Sequence, residues 1–212
     1  MKMMIAIPCL DMVHTMFMES LLSLKRPSDS VIVTARSSLV YDSRNMLSHM
    51  AIFERYDRVL WLDSDMTFSP DLLSKLNSDL DEGYGFVSAL CFSRKQPIKP
   101  IIYSETGFRD AGDGDGRMET YSKCIEEYPS GQIIEVKGIG LAATMMETSV
   151  IKEVYDKFGS PFSPIPGFGE DISFCRKCDE LGIKMYCDTR IKVGHIAQTV
   201  IDEAAYLEGR TL

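Results

Sequence analysis

Short apolar runs alternate with stretches of helical periodicity from the N-terminus to Leu90. Lys2 to Ile7 is a first strand, and Val13, Phe17, Leu21 and Leu24 recur at the spacing of one helix face over about 13–24. The β-branched segment Val31 to Ala35 predicts a second strand. Asp42 or Ser43 is placed to cap a helix whose Met46, Leu47, Met50 and Phe53 face inward. Arg58 to Leu62 reads as a third strand. Ser69 as N-cap, Pro70 at the first helical position and Asp71 beside it open a helix striped with Leu72, Leu73, Leu76 and Leu80, which Gly83 ends. Phe86 to Leu90 is a fourth strand. A strand–helix order of this kind predicts an α/β fold with a mostly parallel sheet covered on both faces.

The pattern then breaks. Residues 104–131 hold few apolar positions and contain the acidic glycine run Asp110 to Gly116, which predicts a flexible surface loop. The run lacks a calcium-loop spacing, because Ala111 falls at the first ligand position and Ser122 at the closing glutamate. Order returns with a strand at Ile133 to Lys137, a turn at Gly138-Ile139-Gly140, an apolar stretch from Leu141 to Met146 and a helix from about Ser149 to Phe158. A proline- and glycine-rich segment, Pro161 to Gly169, leads to Glu170-Asp171 and a helix over Ile172 to Leu181. A short strand, Lys184 to Cys187, precedes Gly194-His195. No internal repeat is visible, so one domain over 1–212 is expected, with 197–212 as its tail.

Composition narrows the class. A chain of 212 residues, 45% hydrophobic and 25% charged, supports one well-buried core. A net charge of −8 argues against a nucleic-acid groove, which shows as a basic patch. No run approaches the ~20 apolar residues of a membrane span. The first apolar run ends at Pro8, too soon for a signal peptide, and a cytoplasmic protein is expected. Six cysteines are then expected to be reduced. Cys175 and Cys178 form a CxxC, but within a predicted helix, and their spacing to Cys187 and His195 fits no zinc pattern.

Four groups of residues carry candidate chemistry. Asp63-Ser64-Asp65 follows the buried run Val59 to Leu62, at the strand end where open α/β sheets gather ligands. Two acids there are costly to desolvate unless something pairs with them, and they suit a divalent cation bound to a phosphate-bearing ligand. The plain alternative is a pair of turn residues. Glu170-Asp171 opens a helix, where one acid suffices for capping; the second is a candidate base or acceptor-orienting group. His195 adds a nitrogen donor suited, with the acids, to Mn²⁺, although a lone histidine is commonly structural. Arg44-Asn45 sits on the helix before the Asp-x-Asp strand, where a guanidinium is able to meet a diphosphate or a base carbonyl.

In this order the elements resemble GT-A glycosyltransferases, in particular the family-two-like bacterial and phage members, over residues 1 to about 196. Ile7-Pro8-Cys9 resembles their opening strand, Arg44-Asn45 their "RN" helix, and Leu62-Asp63-Ser64-Asp65 their Asp-x-Asp signature. Gly138-Ile139-Gly140-Leu141 is similar to the turn under the donor sugar, Gly169-Glu170-Asp171 to the "ED" segment near the acceptor, and Gly194-His195 to a C-terminal metal-binding histidine. The resemblance implies a Rossmann-like three-layer sandwich and transfer of a sugar from a nucleotide diphosphate, UDP-sugar before GDP-sugar, to an acceptor hydroxyl. It implies Mn²⁺ or Mg²⁺ held by Asp63, Asp65 and His195. Donor contacts would come from Pro8, Arg44, Asp63, Ser64, Asp65, Gly138 and Gly140, and catalysis from Asp171 or Glu170. Neither an acceptor domain nor a membrane anchor is expected after His195. A nucleotidyltransferase acting on a sugar phosphate is the rival enzyme reading, but Pro8 to Val13 has neither the glycine nor the basic residue of a phosphate-binding loop. A non-catalytic sugar-nucleotide or carbohydrate-binding module is the other alternative, and it has less need of Glu170-Asp171.

Overall fold

The computed structural model describes residues 1–94, 96–112 and 114–197. The predicted tail, beyond Ala197, lies outside them. The first half runs β1 (Met3–Cys9), α1 (Thr15–Ser23), β2 (Ser30–Arg36), α2 (Val40–Phe53), β3 (Arg58–Leu62), β4 (Met66–Thr67), α3 (Leu72–Asp81) and β5 (Phe86–Leu90). There follow β6 (Ile102–Asp110), β7 (Met118–Cys124), β8 (Ile133–Val136), β9 (Gly138–Ile139) and β10 (Ala143–Glu147). The chain closes with α4 (Thr148–Phe158), α5 (Glu170–Glu180), β11 (Met185–Lys192) and β12 (Gly194–His195).

The main sheet has seven strands in the order β2-β1-β3-β10-β5-β11-β8. β1 is parallel to β2 and β3, and β11 to β5, while β10 enters antiparallel between β3 and β5. β8 runs antiparallel to β11 at the edge. Thus β2, β1, β3, β5 and β11 share one direction, and the sheet is mostly parallel. Every residue of β3 and of β5 is buried. Their side chains alternate between two cores, as a pleated strand requires. Val59 and Trp61 join α2, α4 and α5 on one face, and Leu60 and Leu62 join α1 and α3 on the other. Trp61 meets Phe162 at 5.1 Å between ring centroids, and Phe162 stacks on Phe174 at 4.4 Å. Each such side chain contributes about 1.5–3 kcal/mol by leaving water.

Three expectations need correction. Most of residues 104–131 is strand rather than loop: the acidic glycine run after Asp110 falls between β6 and β7, and these two strands form an antiparallel hairpin, joined by β9 into a three-stranded sheet. Its pattern is polar because much of it faces water, and Gly107 leaves room for the Tyr121 ring, which a Cβ would meet at 2.8 Å. The expected turn at Gly138 to Gly140 is therefore partly strand, with Ile139 opposite Ile102 and Gly138 opposite Tyr103. The helix starts also moved. Neither Asp42 nor Ser43 caps α2; Leu39 does so without a side-chain bond, after Ser37 Oγ accepts the Leu39 N–H at 3.2 Å. α3 begins at Leu72 rather than Pro70, since the Pro70 carbonyl accepts the Lys25 N–H at 2.8 Å. Gly83, with φ +98°, follows the end of α3 as expected.

Candidate active site

β1, β3 and β5 all deliver their carboxyl ends to one edge of the sheet, where a cavity of about 400 Å³ opens. Pro8, Ser43, Asp63, Ser64, Asp65 and Glu170 are among its lining residues. Asp63 stands directly past β3, its N–H bonded to the Ala142 carbonyl at 2.9 Å. His195 arrives from the far end of the chain through a two-strand ladder that sets it opposite Met66. The Ile196 N–H then donates to the Asp65 carbonyl at 2.8 Å. Gly194 permits this approach, because a Cβ there would sit 2.4 Å from Thr67 Oγ1.

Arg44 lies beneath the cavity. Its side chain is 2% exposed, with Nη2 donating to Asp63 Oδ1 at 2.7 Å and Nε to Glu170 Oε1 at 3.4 Å. Its guanidinium lies 5.6 Å from the Trp61 ring centre and 5.9 Å from that of Phe162. Nη1 is buried with no hydrogen-bond partner. Burial pushes the Asp63 carboxyl up from its ordinary value; Arg44 opposes this, and the charges of Asp65 and Glu170 add to it.

Asp65 turns the other way. Its Oδ2 faces His195 Nε2 at 3.5 Å and receives Arg94 Nη1 at 2.6 Å. His195 Nδ1 lies 2.8 Å from the Phe92 carbonyl, a bond that places a proton on Nδ1 and aims Nε2 at Asp65. Burial works against ionised Asp65, but the His195 hydrogen bond and the charges of His195 and Arg94 prevail and lower it. The same hydrogen bond raises His195.

Glu170 and Asp171 start α5 from a loop that is pinned rather than loose. The Lys177 ammonium donates to the carbonyls of Ser160, Pro161 and Ser163 at 2.9, 3.0 and 2.9 Å. Asn45 Oδ1 accepts the Phe162 N–H at 2.9 Å, and Arg176 packs 5.2 Å from both Phe108 and Phe168, tying the loop to the β6–β7 hairpin. Asp171 is pushed up to about 6, first by burial and then by the charge of Glu170, against the Ile172 N–H and Arg44. Burial raises the half-buried Tyr103, and the charge of Asp171 adds to it.

Asp63, Asp65 and Glu170 thus line one cavity with Pro8 and Ser64, above Arg44; His195 meets Asp65 behind that lining, and Asp171 feels the charges of Glu170, Arg44 and Asp63 without lining it. Gly138 and Gly140 go elsewhere. Cβ atoms on them would meet Thr106 at 2.9 Å and Ile101 at 2.8 Å, so they serve the docking of the hairpin's β6 and the segment before it. Two arginines flank the acids, of which Arg94 carries no motif in the sequence. Its only advance sign is position: it follows β5, another strand ending at the ligand edge.

Among the described residues, no three or more His, Cys, Asp or Glu side chains are grouped so as to hold a metal ion. Asp65 and His195 nevertheless suit a divalent cation. A metal-binding histidine donates its other N–H to a carbonyl or carboxylate, as His195 does to Phe92. Mg²⁺-like ions are commonly held by one or two protein groups, with substrate phosphates and water completing the shell.

No family model matches the sequence, and no curated protein matches it. Solved structures do. A197 from STIV aligns with a TM-score of 0.59 at 20% identity, over 96% of this chain and 87% of that one. GalNAc-T7, solved with UDP, GalNAc and Mn²⁺, aligns with a TM-score of 0.62 at 11% identity, over 93% of this chain and 44% of that one. TarS from S. aureus, solved with UDP-GlcNAc, aligns with a TM-score of 0.57 at 14% identity, over 95% and 60%. The fold is that of GT-A glycosyltransferases. The chain spans less than two thirds of GalNAc-T7 and of TarS. Among the described residues no helix is long and apolar enough to cross a membrane.

Proposed function

We propose that this protein is a metal-dependent glycosyltransferase that moves a sugar from a nucleotide diphosphate, UDP-sugar by preference, to an acceptor hydroxyl. One observation carries the reading: His195 meets Asp65, a lining residue of the strand-end cavity, while Asp171 follows the lining residue Glu170 in the chain and feels its charge. GalNAc-T7 and TarS share the fold and were solved with UDP or a UDP-sugar, which supports the choice of donor.

Asp65 and His195 would hold Mn²⁺ or Mg²⁺, and Asp63 would support that site from its bond to Arg44. A bound cation of this type neutralises charge on a departing diphosphate. Arg44, closed in by Trp61 and Phe162, keeps Asp63 and Glu170 in fixed positions. Asp171 would take the acceptor's proton. A carboxylate raised to about 6 is ionised at neutral pH yet still basic enough to accept a proton, as an inverting reaction would require of it.

The test is Mn²⁺-dependent hydrolysis of a panel of UDP- and GDP-sugars, with Asp65→Ala alongside. Nucleoside diphosphate release from at least one donor, lost in Asp65→Ala, is expected. No release from any donor, together with no thermal shift from Mn²⁺ plus UDP or GDP, would overturn the reading.

A further inference from the structure

The two arginines at the acidic edge are built differently. Arg44 is enclosed, whereas the Arg94 side chain is 51% exposed on the segment between β5 and β6. Arg94 Nη1 occupies Asp65 Oδ2 at 2.6 Å, the same oxygen that His195 Nε2 faces at 3.5 Å. A guanidinium therefore supplies positive charge where Asp65 and His195 converge.

The segment around Arg94 is fastened at its base. The Ser93 N–H donates to the Lys99 carbonyl at 2.9 Å, and the Lys99 N–H returns to Ser93 Oγ at 3.1 Å. Phe92 bridges to Pro100, and its carbonyl holds His195. A long side chain on a fastened base is free to change partner by rotamer alone. Arg94 lines the same cavity as Ser43, Asp63, Ser64 and Glu170. The pair is open to water on its Arg94 side, 51% exposed against 19% for Asp65, and an ion pair open to water contributes little net free energy, so Asp65 is able to surrender it. A guanidinium released at that wall presents a planar fork that matches phosphate oxygens.

We infer that Arg94 is an exchangeable counter-ion: it neutralises Asp65 in the metal-free protein and turns to the donor's diphosphate when a divalent cation takes that oxygen. The inference rests on the donor reading above. Its consequence is a pair of effects of opposite sign. Removing Arg94 clears a competitor from Asp65 and so strengthens cation binding, and it withdraws a diphosphate contact and so weakens nucleotide binding.

Calorimetric titration of the intact protein tests this with two probes, MnCl₂ alone and UDP in saturating Mn²⁺. Arg94→Ala should bind Mn²⁺ alone about threefold more tightly, the size of an exposed ion pair, and UDP about tenfold or more weakly, the size of a charged hydrogen bond. Arg94→Lys keeps the charge without the fork and should restore wild-type Mn²⁺ affinity while leaving UDP affinity intermediate. Lys99→Ala removes a nearby exposed charge paired with Glu126 and should leave both affinities unchanged, separating the specific effect from general electrostatics. Mn²⁺ affinity that is unchanged or weaker in Arg94→Ala, or unchanged UDP affinity, overturns the inference alone. A wild-type protein that binds neither Mn²⁺ nor UDP overturns the donor reading with it.

Discussion

Arg44 and Arg190 each join two carboxylates, and these two clusters are inside out relative to each other. At the cavity the Arg44 side chain is 2% exposed, while Asp63 and Glu170 are 30% and 19% exposed. Between α3 and β11 the arginine is outside: Arg190 is 47% exposed, and its partners Asp79 and Asp188 are 3% and 2%. Burial, with the charge of Asp188 facing it, pushes Asp79 up to about 7, so the inner pair retains a proton near neutrality. That cluster fastens a helix to a strand, and its acids line a separate cavity of about 290 Å³. The cavity cluster buries its cation and leaves its carboxylates beside open space, where they attract a further positive charge. Burial of the cation alone does not make a site: Arg58, 10% exposed, joins Asp81 and Glu147, 60% and 33% exposed, away from the strand-end cavity.

The largest effect should come from removing the buried cation. Arg44→Ala leaves Asp63 beside other acids with no counter-charge and should cost about 3–5 kcal/mol by chemical denaturation. Arg190→Ala should cost less, because a proton already relieves the inner acids; equal losses would erase the distinction. Next in size is Asp171→Asn, expected to lower sugar-donor turnover about 10²–10⁴-fold with little change in melting temperature. In the wild type kcat/KM should fall as pH drops below about 6, where Asp171 becomes protonated. A pH-independent rate would remove Asp171 from the role of base.

The strut makes a smaller, opposite prediction. The folded state holds the Asp79 proton more tightly than the unfolded chain does. Stability from this group is therefore full below the ordinary carboxylate range and declines as pH rises to about 7. Asp79→Asn should flatten that decline, melting a few degrees above wild type at about pH 8, with the difference shrinking as pH falls towards the ordinary carboxylate range. A steeper decline would contradict the shared proton. Gly138→Ala is an uncharged control outside both clusters. Its Cβ would press on Thr106 at 2.9 Å and should cost about 1–3 kcal/mol, independent of pH.

How much of this the sequence revealed depended on the range of the contacts. β3 and β5 were legible to the residue because strands buried on both faces read as unbroken apolar runs. Asp63 and Asp65 were legible from their place after such a run. The β6–β7 hairpin was not, since its ordering partners, Gly138, Phe168 and Arg176, are distant in the chain and its own strands are polar. For the same reason β10's antiparallel entry into the sheet was invisible. Nothing in the sequence pairs Asp79 with Asp188, because only the folded chain places them together. Arg94 belongs to no motif and became visible through its contact with Asp65.

We propose that Asp65 and His195 make this strand-end cavity a metal–nucleotide site. The decisive measurement is a titration of UDP into wild type, Asp65→Asn and His195→Ala, each with and without Mn²⁺. UDP binding in the wild type should depend on Mn²⁺, and either substitution should abolish that dependence. UDP binding that is equally strong without the metal, or unaffected by both substitutions, would contradict it.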